Sequence, residues 1–210
     1  MILNVINIDP SQPCDKYANP ELKKQIIRNR EERILSIVQQ SKQHGFAVRF
    51  WEGDLTDEVF PCKNISRSFK KIVQYAKEER LPMITIGEDD LHFTSPNSWK
   101  YYIENIPEDF DLYLGGIYAG ELHGNRIVNG YSGHTLLTVH ERAYDFFLSA
   151  DEDPLGFAMG HIDRWCGKFC KEKKFIVALP FVIKQMGGYS ENKKRVQDYS
   201  IYEEAWTYLT

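Results

Sequence analysis

The order of apolar and polar positions along the chain predicts alternating strands and helices. Ile2 to Ile8 is an apolar, β-branched run with the pattern of a buried parallel strand. A segment rich in Pro and Asp follows. Asn19 then stands as N-cap, with Pro20 at the first position of a long helix that Gly45 closes. Ile27, Ile34, Ile37 and Val38 keep helical spacing along it, and Arg28, Arg30 and Arg33 cluster among them. Phe46 to Trp51 predicts a second strand, ending at Glu52-Gly53. From about Ser66 an amphipathic helix sets Ile65, Phe69, Ile72, Val73 and Ala76 on one face.

Pro82 introduces the strand Met83 to Ile86, which runs into Gly87-Glu88-Asp89-Asp90. Ser95-Pro96 opens a helix through about Asn105, and Asp111 to Leu114 is a fourth strand ending in Gly115-Gly116. Shorter β segments follow around Arg126–Tyr131 and Thr135–Val139. Helices at Glu141–Ala150 and about His161–Lys171 flank a loop with Asp153-Pro154-Leu155-Gly156. The last strand is Phe175 to Leu179, before Pro180-Phe181 and a polar tail. Strand–helix alternation over the first 115 residues predicts an α/β chain: a single-domain, Rossmann-like sandwich with a mostly parallel sheet.

Composition acts by exclusion. With 42% hydrophobic and 27% charged residues the 210-residue chain is neither disordered nor collagen-like. A net charge of −4 gives no whole-protein pull towards nucleic acid or anionic lipid. No run of 18 apolar residues predicts a transmembrane helix, and the first residues lack the basic start of a signal peptide. The expected location is cytoplasmic, peripheral at a membrane only through an acceptor. Cys14, Cys62, Cys166 and Cys170 accordingly read as free thiols, the last two as buried core groups rather than zinc ligands.

In open α/β sheets ligands bind beyond the carboxyl ends of the strands. Asn7 and Asp9 follow the first strand, Glu52-Gly53 the second, Glu88-Asp89-Asp90 the third and Gly115-Gly116 the fourth. No G-x-G-x-x-G follows the first strand and no G-x-x-x-x-G-K-[ST] occurs, which disfavours dinucleotide and P-loop enzymes. Three consecutive carboxylates at the end of a buried strand repel one another unless a cation neutralises them. A hard divalent ion, Mn²⁺ or Mg²⁺, accepts one or two carboxylates and completes its shell with water and phosphates. The other reading of the triplet is a solvated turn. Gly53 marks either a backbone with positive φ or a close ligand approach.

The strand ending in Glu88-Asp89-Asp90-Leu91-His92-Phe93 resembles glycosyltransferase family 25, which includes lipopolysaccharide-modifying and collagen galactosyltransferases. Val5-Ile6-Asn7-Ile8-Asp9 resembles the family's opening strand, and Trp51-Glu52-Gly53 its aromatic, acidic, Gly segment. Phe110 to Gly116 resembles "D-(F/I)-(I/V)-x-L-G", Tyr131 to Thr135 stands at its "G-T-x-A-Y" turn, and Pro180 to Gln185 resembles "P-x-(V/I)-x-Q". The likeness spans roughly residues 1 to 190. It departs from the family where the arginines follow an insertion of about Pro10 to Pro20, and where Ser66-Arg67 replaces "Ser-His".

The resemblance implies an A-type glycosyltransferase with a nucleotide-binding part at about 1–116, an acceptor side at about 117–190 and a tail at 191–210. It implies Mn²⁺ or Mg²⁺, a nucleotide-sugar donor with a UDP-sugar first, and inverting transfer to a hydroxyl of a glycan, glycolipid or protein. Asp90 is then the first metal ligand and Asp89 the second. Glu88 holds ribose or sugar hydroxyls, and Asn7 and Asp9 sit beside the base or ribose. Arg30 or Arg33 reaches phosphates, unless both belong to a solvated helix face. Gly53 and Gln185 join the donor site, and Gln185, Tyr189 and Ser190 form a lip over it. Asp163 is the candidate general base, with a helix-capping role as its alternative, and His134 stands second to it. Two rival functions are a catalytically silent sugar-nucleotide-binding module and a metal-dependent phosphohydrolase.

Overall fold

The computed structural model describes residues 1–12, 19–56, 59–150, 160–190, 195–199 and 206–210. Strand β1 (Ile2–Asn7) leads to α1 (Pro20–His44). The Asn19 side chain accepts from the Glu21 and Leu22 N–H groups, and Gly45, at φ 69°, closes the helix in the left-handed conformation. After β2 (Ala47–Glu52), helix α2 runs Pro61–Glu78 and so begins five residues before Ser66. Pro61 in its first turn loses no hydrogen bond there, because those N–H groups have no intrahelical acceptor. Phe69, Ile72, Val73 and Ala76 form its fully buried row, as the spacing predicts.

Next come β3 (Met83–Glu88), β4 (Leu91–Phe93), α3 (Ser98–Glu104) and β5 (Leu112–Leu114). A hairpin of β6 (Ala119–His123) and β7 (Arg126–Ser132) precedes β8 (Leu136–His140). A 3₁₀ turn at Glu141–Ala143 then enters α4 (Tyr144–Leu148). The chain continues with α5 (Ile162–Gly167), β9 (Phe175–Val177), β10 (Ile183–Gln185), β11 (Gly188–Ser190) and β12 (Arg195–Gln197). Helix α3 starts later than Ser95-Pro96 suggests, because Ser95 N–H donates to Ser98 Oγ (2.9 Å) and makes a turn first. Cys14 and the Asp153-Pro154-Leu155-Gly156 loop lie outside the described residues.

The main sheet has the order β2-β1-β3-β8-β5-β9-β7-β6. β1 pairs in parallel with β2 and β3, and β5 with β9; β8 runs antiparallel between β3 and β5. From β2 to β9, therefore, only β8 is reversed, and the mostly parallel sheet holds. The β6–β7 hairpin joins at the far edge through the pairing Arg126–Ile176. Because β8 descends, its beginning lies beside the carboxyl end of β3: Glu88 N–H donates to Thr135 O (3.0 Å).

Period-two alternation splits the core into two layers. Ile84, Ile86, Leu112, Leu114, Leu137 and Val139 face α2, α4 and α5. Leu3, Val5, Tyr113, Leu136 and Ile176 face α1 and α3. Each fully buried aliphatic or aromatic side chain stabilises by about 1.5–3 kcal/mol. A polar chain runs through it: Tyr102 OH donates to Tyr113 O (2.8 Å) and meets Thr138 Oγ1 (3.0 Å), which in turn meets Thr85 Oγ1 (2.8 Å).

The last residues are part of this packing, which corrects the reading of a polar tail. Phe181 N–H donates to Thr207 O and Leu209 N–H to Phe181 O, both at 2.8 Å, while Trp206 stacks on Phe181. Cys62, Cys166 and Cys170 are buried free thiols. No described helix is long and apolar enough to cross a membrane.

Candidate functional site

A cavity of about 390 Å³ opens at the carboxyl ends of β1 and β3, where a doubly wound sheet places its ligands. Its lining includes Asn7, Arg33, Glu88, Asp89, Asp90 and Gln185, together with Ser66, Ser132, His134 and Asp163. Residues from seven separate stretches of chain thus meet at one strand edge.

The carboxylate triplet is inside, not in a solvated turn. Arg33 Nη1 lies 3.0 Å from Asp89 Oδ1, and its Nη2 lies 3.6 Å from Asp90 Oδ2 and donates to Tyr189 O (3.2 Å). Burial raises the Asp89 carboxyl, although Arg33 and the Ile8 N–H oppose it. Burial also pushes Asp90 up to about 6 against the pull of Arg33. Glu88 is raised well above the carboxylate range by burial and by Asp90, Asp163 and Asp89. One guanidinium, Arg33, thus serves both Asp89 and Asp90. Gln185 donates to Asp90 Oδ2, while Asp90 Oδ1 and Gln185 Oε1 are buried with no hydrogen-bond partner among the described residues.

Asp163 sits in the first turn of α5 and lines the same cavity. Its Oδ2 accepts from Gly133 N–H (2.8 Å) and Ser132 Oγ (3.1 Å), and its Oδ1 from Arg164 N–H (2.8 Å). Burial opposes ionisation, yet His134, the Gly133 N–H and His161 together hold the carboxyl below its ordinary range. His134 is held by rings: Phe69 edge-on, Phe147 stacked, and Tyr131 OH 2.7 Å from Nε2.

Burial lowers His134 to about 4, although Asp163 pulls the other way. An unfolded imidazole titrates near 6.5, so between these values the unfolded chain binds a proton that the folded chain does not. His134 therefore adds stability as pH rises through this window, about 3 kcal/mol in all. The raised carboxyls of Glu88, Asp89 and Asp90 act in the opposite sense, so the measurement is a difference. The melting temperature of His134→Phe relative to wild type should climb between pH 7 and pH 5. A difference that ignores pH would show that this imidazole titrates in the fold as it does in the unfolded chain.

Four expected site residues do not line the cavity. Asp9 is exposed and its carboxylate accepts from Ser11 N–H (2.7 Å) and Ser11 Oγ, closing a local turn. Arg30 is buried at 3% exposure, donating to Gln12 O (3.1 Å) and Asp9 O (3.5 Å), and so organises the loop after β1 rather than a phosphate. Gly53 N–H donates to Asn7 O (2.7 Å), and a Cβ there would stand 3.2 Å from that oxygen. The close approach at Gly53 is to the β1 backbone, not to a ligand. Tyr189 offers Arg33 its carbonyl and turns its ring to Ile26, while Ser190 does line the cavity.

Among solved structures the chain is similar to a glycosyltransferase involved in the glycosylation of the major capsid of PBCV-1. The TM-score is 0.53 at 10% identity, over 97% of this chain and 98% of that one. It is also similar to a chain described as a nucleotide-diphospho-sugar transferase from Desulfovibrio desulfuricans G20 (TM-score 0.52, 11% identity, 84% and 78% covered). The fold is of the glycosyltransferase A type. A third likeness is to A197 from STIV (TM-score 0.50, 10% identity, 93% and 92% covered). No protein-family model and no curated protein matches the sequence. Family 25 in particular finds no support in these comparisons.

Within this A-type fold the cavity also takes Asp54, Asn64, Tyr118, Gln197 and Tyr199, which sequence reasoning passed over. Asn64 and Ser66 reach it because α2 begins at Pro61, a signal the sequence does carry. Tyr118 and Tyr199 stack at 5.7 Å, and nothing in their separate surroundings along the chain announces that pairing.

Proposed function

We propose that the chain is a nucleotide-sugar glycosyltransferase, moving a sugar from a nucleoside-diphosphate donor, first a UDP-sugar, to a hydroxyl of a glycan, glycolipid or protein acceptor with inversion. The observation that carries this reading is the pair of buried oxygens without partners, Asp90 Oδ1 and Gln185 Oε1, in the cavity at the strand ends. The glycosyltransferase and the nucleotide-diphospho-sugar transferase that share its fold support it.

Both free atoms are hard oxygen donors, the kind Mn²⁺ and Mg²⁺ prefer. Among the described residues no group of three or more His, Cys, Asp or Glu is placed to hold a metal. That fits a cation held by Asp90 with Gln185 and completed by a donor's phosphates, rather than an all-protein cage. Asp89, engaged by Arg33 and the Ile8 N–H, positions the pair. When bound, the cation offsets charge on the leaving nucleoside diphosphate. Arg33 adds a fixed positive charge in the same cavity. Asn7 faces the nucleoside, Glu88 the sugar hydroxyls, and Asp163 takes the proton of the acceptor hydroxyl, with His134 second to it.

Calorimetry of UDP and GDP with and without Mn²⁺ tests this reading. Wild type should bind one of them in a metal-dependent way, and Asp90→Asn should abolish that dependence while the melting temperature holds. Binding that ignores both EDTA and the substitution would remove the metal from the site. Donor turnover separates the enzyme from a silent binding module.

A further inference from the structure

We infer that His134 Nδ1 hydrogen-bonds a hydroxyl of the donor's sugar, an assignment that rests on the glycosyltransferase reading above. The imidazole lines the cavity at 4% exposure, and its other contacts are fixed. Phe147 stacks on the ring with centroids 5.9 Å apart, Phe69 meets it edge-on at 5.6 Å, and Tyr131 OH holds Nε2 at 2.7 Å. Nδ1 is buried and has no partner among the described residues. A buried ring nitrogen left unanswered is costly unless water or ligand meets it.

The chemistry of the missing partner follows from Tyr131. If Tyr131 donates to Nε2, Nδ1 carries the proton and needs an acceptor. If Tyr131 accepts from Nε2, Nδ1 needs a donor. A hydroxyl answers either tautomer, which neither an ammonium nor a phosphate oxygen does. An anion is further disfavoured by the Asp163 carboxylate, which acts on His134.

Position selects the sugar. Glu88 N–H donates to Thr135 O, next to His134, and Asp163 Oδ2 accepts from the Gly133 N–H, so the His134 turn adjoins the acidic end of β3 in one cavity. A sugar joined to a diphosphate held at Asp90 comes within reach of that turn. Gly133, at φ 117°, lets the chain turn there: a Cβ would stand 3.2 Å from the Tyr118 ring.

The experiment compares each nucleotide with its sugar form: UDP against UDP-glucose and UDP-galactose, and GDP against GDP-mannose. Calorimetry on wild type and His134→Phe, which keeps the ring packing, should show unchanged nucleotide affinity and a roughly 3- to 10-fold loss for the matching nucleotide sugar. In the unaltered protein the ¹⁵N resonance of His134 Nδ1 should move with the nucleotide sugar and not with the bare nucleotide, a reading that does not depend on the variant folding. Equal loss for nucleotide and nucleotide sugar, no loss for either, or an Nδ1 resonance that responds alike to both would overturn the assignment. Wild type that binds none of these compounds overturns the glycosyltransferase reading instead.

Discussion

Asp163→Asn should lower sugar transfer roughly 100- to 10,000-fold while donor affinity stays near wild type, because an acceptor hydroxyl is a poor nucleophile unless a positioned base takes its proton. The geometry supports this role over helix capping. The N-cap position of α5 is His161, and no side chain caps the helix there. Asp163 instead lies in the first turn and reaches across to the Ser132-Gly133 turn. Its carboxyl is held below the ordinary range of 3.8, so the base is ionised at neutral pH and the acid limb of the rate profile falls below about pH 4. The stability this carboxylate contributes is present above 3.8 and is lost as pH falls through its lower folded value. A purely structural clamp predicts otherwise. Asn still accepts from the Gly133 N–H, so turnover would remain near wild type. Asp163→Ala would leave that N–H unsatisfied at about 1–3 kcal/mol. Melting temperature, donor affinity and turnover of both variants decide the matter, and near wild-type turnover in Asp163→Asn would move the search to His134.

Much of this site was legible where one local signal decides it. Asn19, Pro20 and Gly45 bound α1 by capping chemistry that needs no tertiary information. The carboxylate triplet announced the site because three adjacent acids after an apolar strand need explaining anywhere. What could not be read is which side of a helix faces what. Arg30 and Arg33 are three apart on α1 and look alike in sequence. Arg30 lies with Ile26 and Ile37 among the buried positions and holds the loop after β1, whereas Arg33 reaches the end of β3. Gly53 shows the same limit: its missing Cβ signals a close approach, but only the sheet says that the neighbour is the Asn7 carbonyl. Strands β4, β10, β11 and β12 have three residues each, too short for a period-two pattern to declare itself. Their pairing partners are distant or come from the C-terminal region, so Gln185 reached Asp90 through a pairing of β10 with β4 that the sequence does not display.

Arg33→Met should destabilise the fold by about 3–5 kcal/mol, the range for breaking a buried ion pair by removing one partner. The side chains concerned are well enclosed, at 14% exposure for Arg33 and 11% for Asp89, so solvent screens the pair little. Methionine keeps the length and apolar stem of arginine, and the loss therefore reports charge rather than packing. It is large against a total stability of about 5–15 kcal/mol. Arg33→Lys should recover only part of it, since a point charge cannot serve Asp89, Asp90 and the Tyr189 carbonyl as the planar fork does. A double-mutant cycle with Asp89→Asn isolates the interaction. With Asp89 neutral, the same Arg33→Met change should cost far less, giving a coupling of about 2 kcal/mol or more. A coupling below about 0.5 kcal/mol would mean that Arg33 and Asp89 act independently. The arginine would then be left free to meet the phosphates of a donor rather than to hold the carboxylates in place.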